Sequence, residues 1–220
     1  MSGIVLELQS NALDPNVDVI TLLRQAYLIS KKLGLSEFEQ WVSKELNGYE
    51  VSDEIPSYRI LHGELKALNP YRGWIPIVVN NAQVQMELSK YHTRDSIPRL
   101  VSLLKAEKGV QVNIPIHFFA NLGLRIDLGL PEYALHLQEN AVEAIMETVR
   151  NKLLDWSLLL EENGIIGENL GFSAEEKKYA AKSQIINYTN NFYADTSNLQ
   201  LQQGTSHSQQ HRDKNMESAN

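Results

Sequence analysis

The stretch Leu23-Arg-Gln-Ala-Tyr-Leu-Ile-Ser-Lys-Lys-Leu-Gly-Leu-Ser-Glu-Phe-Glu-Gln-Trp-Val-Ser-Lys-Glu-Leu-Asn-Gly-Tyr49 holds two helical patterns separated by one glycine. Ile20, Leu23 and Tyr27 recur at helical spacing, with Leu22, Ala26, Ile29 and Leu33 beside them. A helix is therefore expected over residues 17–33. Asn16 is its candidate cap, and Gly34 ends it. Lys31 and Lys32 stand where the helix dipole favours positive charge. Ser36-Glu-Phe-Glu39 then reads as a capping box, in which serine and glutamate each satisfy an unpaired backbone amide. Phe38, Trp41, Val42 and Leu46 give the second helix its apolar face, and Gly48 stops it. Two short helices joined by so tight a turn are expected to pack as a helical hairpin.

Downstream the pattern changes. Ile55-Pro56 breaks any helix, and Tyr58 to Leu65 can form a strand. Asn69-Pro-Tyr-Arg-Gly73 is turn chemistry, and the β-branched run Trp74-Ile-Pro-Ile-Val-Val79 reads as the partner strand. Pro76 confines that strand to an edge or a strand start. A helix is expected over 96–108 and a strand over 109–116, where Val110, Val112 and Ile114 alternate. The longest helix is expected over 131–163, with Pro131 in its first turn and Gly164 after its end. Its stripe is Val142, Ile145, Met146, Val149, Leu153, Trp156 and Leu160. It is read as the spine that receives the hairpin, with a dimer contact as the alternative. The fold class expected is α+β, mainly helical: a helical hairpin, a small antiparallel sheet and one long helix in a domain at 1–170. A helical linker at 171–183 follows.

The tail differs in composition. Residues 184–220 contain six Asn and six Gln. Within 184–204 two short alternating runs read as a β-prone segment that needs a surface or another chain to pair with. Residues 205–220 have too little apolar content to fold and are expected to be disordered.

Charge and composition exclude several classes. Among 220 residues the formal net charge is -7, which disfavours a general nucleic-acid coat but leaves room for a local basic patch. With no cysteine there is no disulfide, thiolate nucleophile or cysteine zinc site. No apolar run is long enough to span a bilayer, and the N-terminus has no leader pattern, so a cytoplasmic protein without a membrane partner is expected. His62, His92, His117, His136, His207 and His211 show no metal-ligand spacing, and neither a metal nor a cofactor is expected. Gly164-Ile-Ile-Gly-Glu-Asn-Leu-Gly171 follows a helix and lacks the phosphate-loop ending, so it reads as a helix-exit loop. Catalytic residues are not identified. The most unusual constellation surrounds the expected β-hairpin: Arg59, His62, Tyr71, Arg72 and Trp74, with Tyr58 beside them. Arginine among aromatics can stack a base or bind a phosphate or carboxylate. The plainer reading makes Tyr58 and Trp74 core residues and pairs the arginines with helix carboxylates.

The stretch from Leu23 to Tyr49 resembles the AbiTii domain family of bacterial phage-defence proteins. Ile55-Pro-Ser-Tyr-Arg59 and Asn69-Pro-Tyr-Arg-Gly-Trp-Ile-Pro76 are similar to its next two motifs, in the same order and spacing. The resemblance covers roughly residues 3–165, and the amide-rich tail is similar to an extension that can follow the domain. Arg24, Glu45, Tyr49, Tyr58, Arg59, Tyr71 and Trp74 fall on motif positions. The resemblance implies abortive infection as the setting and supplies no catalytic motif. The function expected is that of a sensor, adaptor or oligomerisation module, with a protein partner or self-association through residues 184–204. The alternative is a metal-independent toxin acting on RNA or a nucleotide through Arg59, His62, Tyr71 and Arg72; nucleic acid is not the favoured partner.

Overall fold

A computed structural model describes residues 3–104, 110–116, 119, 130–138, 140–168 and 170–181. The β-prone segment, the C-terminal tail and His117, His207 and His211 lie outside the described residues. Seven helices and five strands are found among the described residues, in an α+β arrangement.

The hairpin forms as expected, from α2 (Val19–Leu33) and α3 (Ser36–Asn47). Its caps differ. Asp18, not Asn16, caps α2 by accepting from the Thr21 amide at 2.9 Å. Ser36 and Glu39 form no capping box: Leu35 occupies the cap position, and Glu39 pairs with Lys31 at 2.6 Å. Leu35 is buried in the core and stands directly before the first residue of α3. Gly34 takes the left-handed φ of 75° that the tight turn requires.

An N-terminal helix that the sequence reading did not anticipate, α1 (Ile4–Leu13), buries Ile4, Val5, Leu8 and Ala12. Its first amides have no side-chain cap. Ile4 and Val5 instead donate to the carbonyls of Gly167 and Ile166, each at 3.1 Å. At its other end Arg150 donates to the Ala12 and Asp14 carbonyls at 3.1 and 3.2 Å and to Val17 at 2.6 Å. One guanidinium thus satisfies carbonyls that the helix leaves unpaired.

The long helix α6 (Ala141–Glu162) is 22 residues, about 33 Å long. It buries Val142, Ile145, Val149, Leu153, Trp156 and Leu160 against α1, α2 and α3. The expectation of a helix from residue 131 is corrected. Tyr133–Leu137 is a strand, β5, because Tyr133, Leu135 and Leu137 alternate toward the core.

The sheet is antiparallel, in the order β2-β1-β5-β4. β1 (Ile60–Asn69) follows a 3-10 turn at Ser57–Arg59 and turns into β2 (Gly73–Pro76). After α4 (Ala82–Leu88), β3 (Lys90–His92) pairs with the first residues of β1. α5 (Ile97–Leu104) leads toward β4 (Gln111–Asn113), shorter than the strand expected there. Leu61, Leu65, Ala67, Tyr133, Leu135 and Leu137 form the sheet's buried face. The other face is left for the side chains between them.

The described chain ends in α7 (Ala174–Ala180), which opens on a true capping box of Ser173 and Glu176. The Glu176 carboxylate also accepts from the amides of Ile166 and Gly167 at 3.0 and 2.8 Å. Glu176 therefore ties α7 to the loop that caps α1. Burial pushes its carboxyl up, but the amides of Gly167, Ser173 and Ile166 together hold it below the ordinary 4.5. A depressed carboxylate stabilises the fold above its unfolded value and loses that contribution as pH falls through its folded value. The melting-temperature gap between the native chain and Glu176→Gln should be steady at neutral pH and close below about 4.5. A gap unchanged down to pH about 3 would contradict this assignment.

Candidate functional site

Alternation along the strands puts His62, Glu64 and Lys66 of β1 on the outer face of the sheet. His136 lies opposite Glu64, and Gln111 lies opposite His136 on its other side. Lys90 and His92 of β3 pair with His62 and Ile60 and so share that face. His62 and His136 are diagonal neighbours, with β-carbons about 7 Å apart.

His62, Glu64, Lys66, Gln111 and His136, with Ser89 and Gln138, line a cleft of about 580 Å³; Lys90 and His92 share the face without lining it. Its polar inventory is two imidazoles, one ammonium, one carboxylate, two amides and a hydroxyl. Lys66 and Glu64 pair at 2.9 Å, with the carboxylate the more exposed partner. Lys90 pairs likewise with Glu87 at 2.9 Å. His136 is half-buried, with Trp74 edge-on to it at 4.9 Å between centroids. Its Nε2 is buried and has no hydrogen-bond partner among the described residues. Burial, and then the charge of Lys66, hold His136 below the usual histidine range against the opposing pull of Glu64. It is therefore neutral at pH 7, able to accept one hydrogen bond and donate another.

Of the residues singled out from sequence, His62 and Trp74 lie on this face. Tyr71 and Arg72 project from the β1–β2 turn, Tyr71 97% exposed. Asn69 Oδ1 holds that turn by accepting from both of their amides, at 2.9 and 3.1 Å. Arg59 lies at the opposite end of β1, about 30 Å away along the strand. It is 0% exposed. Its guanidinium donates in bidentate fashion to the equally buried Glu45, and Nη1 donates to the Asp95 carbonyl at 2.7 Å. Glu45 also accepts from the Tyr49 and Tyr58 hydroxyls, each at 2.6 Å. Trp41 Nε1 donates to Tyr58 at 2.9 Å, and the Arg59 guanidinium stacks 4.7 Å from the Tyr49 ring centre. Burial and the Glu45 charge push both tyrosine hydroxyls well above their ordinary range. Burial would lower the Arg59 value, but Glu45 keeps it above normal. The network is thus a permanent ion pair clasping α3 to the start of the sheet.

The AbiTii family model matches residues 3–185. This chain belongs to the AbiTii family. No curated protein and no solved structure matches it. AbiTii membership gives the setting as phage defence by abortive infection. In this AbiTii chain the motif positions separate physically. Glu45, Tyr49, Tyr58 and Arg59 build the buried clasp, while Arg24 is exposed on α2 and Tyr71 stands at the hairpin tip. Glu64, Lys66, Gln111 and His136 escaped the sequence reading. Glu64 and Gln111 fall in expected strands whose pairing register the sequence does not give, and His136 falls in the alternation of residues 133–137, hidden by the expected helix over the same stretch.

No helix among the described residues is long and apolar enough to cross a membrane. No group of three His, Asp or Glu side chains among them is placed to hold a metal.

Proposed function

We propose that this AbiTii chain is a sensor or adaptor in phage defence, recognising its partner through the outer face of the sheet and the β1–β2 hairpin tip. The observation that carries the reading is the display of Tyr71 and Arg72 on a braced turn beside a polar sheet face that holds an open cleft among the described residues. Tyrosine and arginine are, with tryptophan, the residues that most often anchor protein contacts. A turn already held by Asn69 needs little further ordering to bind. Self-association through residues 184–204 belongs to the same reading, since an edge-prone segment gains most from a second chain.

The test is growth and phage plating in cells expressing the full chain. Growth without phage should be normal, infection should be restricted, and Tyr71→Ala,Arg72→Ala should abolish restriction at equal protein abundance. Arrest before infection would overturn the sensor reading. It would favour the alternative of a toxin acting on RNA or a nucleotide, for which the placement of His62, His136 and Lys66 around one cleft is the supporting observation. Light scattering on the full chain and on residues 1–181 reports the tail: equal masses per chain count against oligomerisation through it.

A further inference from the structure

We infer that the cleft on the outer face of the sheet is a binding site for a nucleoside phosphate. The chain as a whole is acidic, with a formal charge of -7, yet this face is not. Lys66, His62 and His136 line the cleft with Glu64, and Lys90 and His92 share the face, where Glu87 offsets Lys90 as Glu64 offsets Lys66. A cleft whose charges balance, on an otherwise acidic chain, repels an anionic ligand less than the rest of the surface does.

The two lysines can be recruited. Their carboxylate partners Glu64 and Glu87 are 57% and 55% exposed, against 26% and 27% for the lysines. Such surface pairs are worth about 0–1 kcal/mol, so a phosphate with more charge and several acceptor oxygens can displace them. Lysine as a point charge and imidazole N–H groups are ordinary phosphate donors.

The remaining lining is suited to a base. Gln111 and Gln138 can each present a donor and an acceptor to a heterocycle edge. Trp74 packs on His136 and extends an aromatic surface along the same face. His136 Nε2, buried without a partner among the described residues, marks a polar atom that the protein alone does not satisfy. The volume of about 580 Å³ lies within the span typical of small-ligand sites.

Calorimetric titration of the full chain at low salt tests this with ATP, GTP and UTP, beside inorganic phosphate and a short RNA. At least one nucleotide should bind in the micromolar range. Lys66→Ala should weaken it about tenfold, the loss of one charge-assisted contact. Gln138→Ala should change the ranking among bases with phosphate affinity kept. Both sites are on the surface, and circular dichroism verifies that the variants fold. Failure of every nucleotide to bind at millimolar concentration overturns the inference. So does binding that neither variant alters, phosphate binding as tight as any nucleotide, or binding of RNA alone. The titration needs no phage, so its failure leaves the plating result, and with it the sensor reading, standing.

Discussion

Arg59→Ala is expected to destabilise the protein by about 3–5 kcal/mol, the range for removing one partner of a buried ion pair. The loss is large because of what stays behind. Glu45 is 0% exposed, and without the guanidinium the hydrogen bonds left to its carboxylate among the described residues come from two tyrosine hydroxyls. The Asp95 carbonyl loses its donor as well. A domain of this size has about 5–15 kcal/mol in total, so the variant should unfold at far lower denaturant. The control is Glu45→Gln,Arg59→Met. Glutamine keeps an acceptor for Tyr49 and Tyr58 and carries no charge, and methionine fills the volume. Chemical denaturation should show this double variant recovering much of what Arg59→Ala loses, since neutral replacement of a buried pair costs far less than halving it. An Arg59→Ala protein within about 1 kcal/mol of the native chain would show that the pair is not desolvated as described. The consequence for function is direct. Loss of defence in an Arg59 variant reports unfolding, so binding roles must be tested at His62, Lys66, Tyr71 and Arg72.

The sequence made the local part of this fold legible. The hairpin of α2 and α3, the turn at Asn69 to Gly73 and the stripe of α6 follow from periodicity and breaker residues, which act over a few positions. What it concealed depends on distant partners. α1 takes its N-terminal carbonyl partners from residues 166 and 167 and its C-terminal donor from Arg150, so no local cap announced it. β5 is short and adjoins a strong helix, and Pro131 suits either the start of a helix or the approach to a strand. Ser36 and Glu39 had the spacing of a capping box, but packing of Leu35 decided where the helix began. The site divides in the same way. Arginine among aromatics describes both a ligand patch and a buried clasp, and only burial separates them; for Arg59 the plainer pairing with a helix carboxylate is what the fold contains. His62 was visible on its strand. Its neighbour His136 came into view only once register set Glu64 opposite it.

Trp156→Ala should cost about 3–5 kcal/mol as well, by a different mechanism. Trp156 is fully buried at the centre of the α6 stripe and stacks on Phe38 of α3, with centroids 3.8 Å apart and planes at 18°. Alanine would leave a cavity between two long elements that cannot close on it. Trp156→Phe separates ring from polar atom. The indole N–H is buried without a hydrogen-bond partner among the described residues, and such a group costs about 1–3 kcal/mol. Phenylalanine loses part of the ring but also that penalty, so it should be far milder than alanine. Equal losses for the two would mean that the N–H is satisfied, and a loss from alanine below about 1 kcal/mol would mean that the stack is not core. The stack and the clasp are also joined. Phe38 leans on Trp41 at 5.3 Å, and Trp41 donates to Tyr58, which donates to Glu45. Residues linked through shared partners do not add independently. Arg59→Ala and Trp156→Ala should therefore show a coupling of at least about 0.5 kcal/mol in a double-mutant cycle, because loss of either frees Trp41 to relax away from the other.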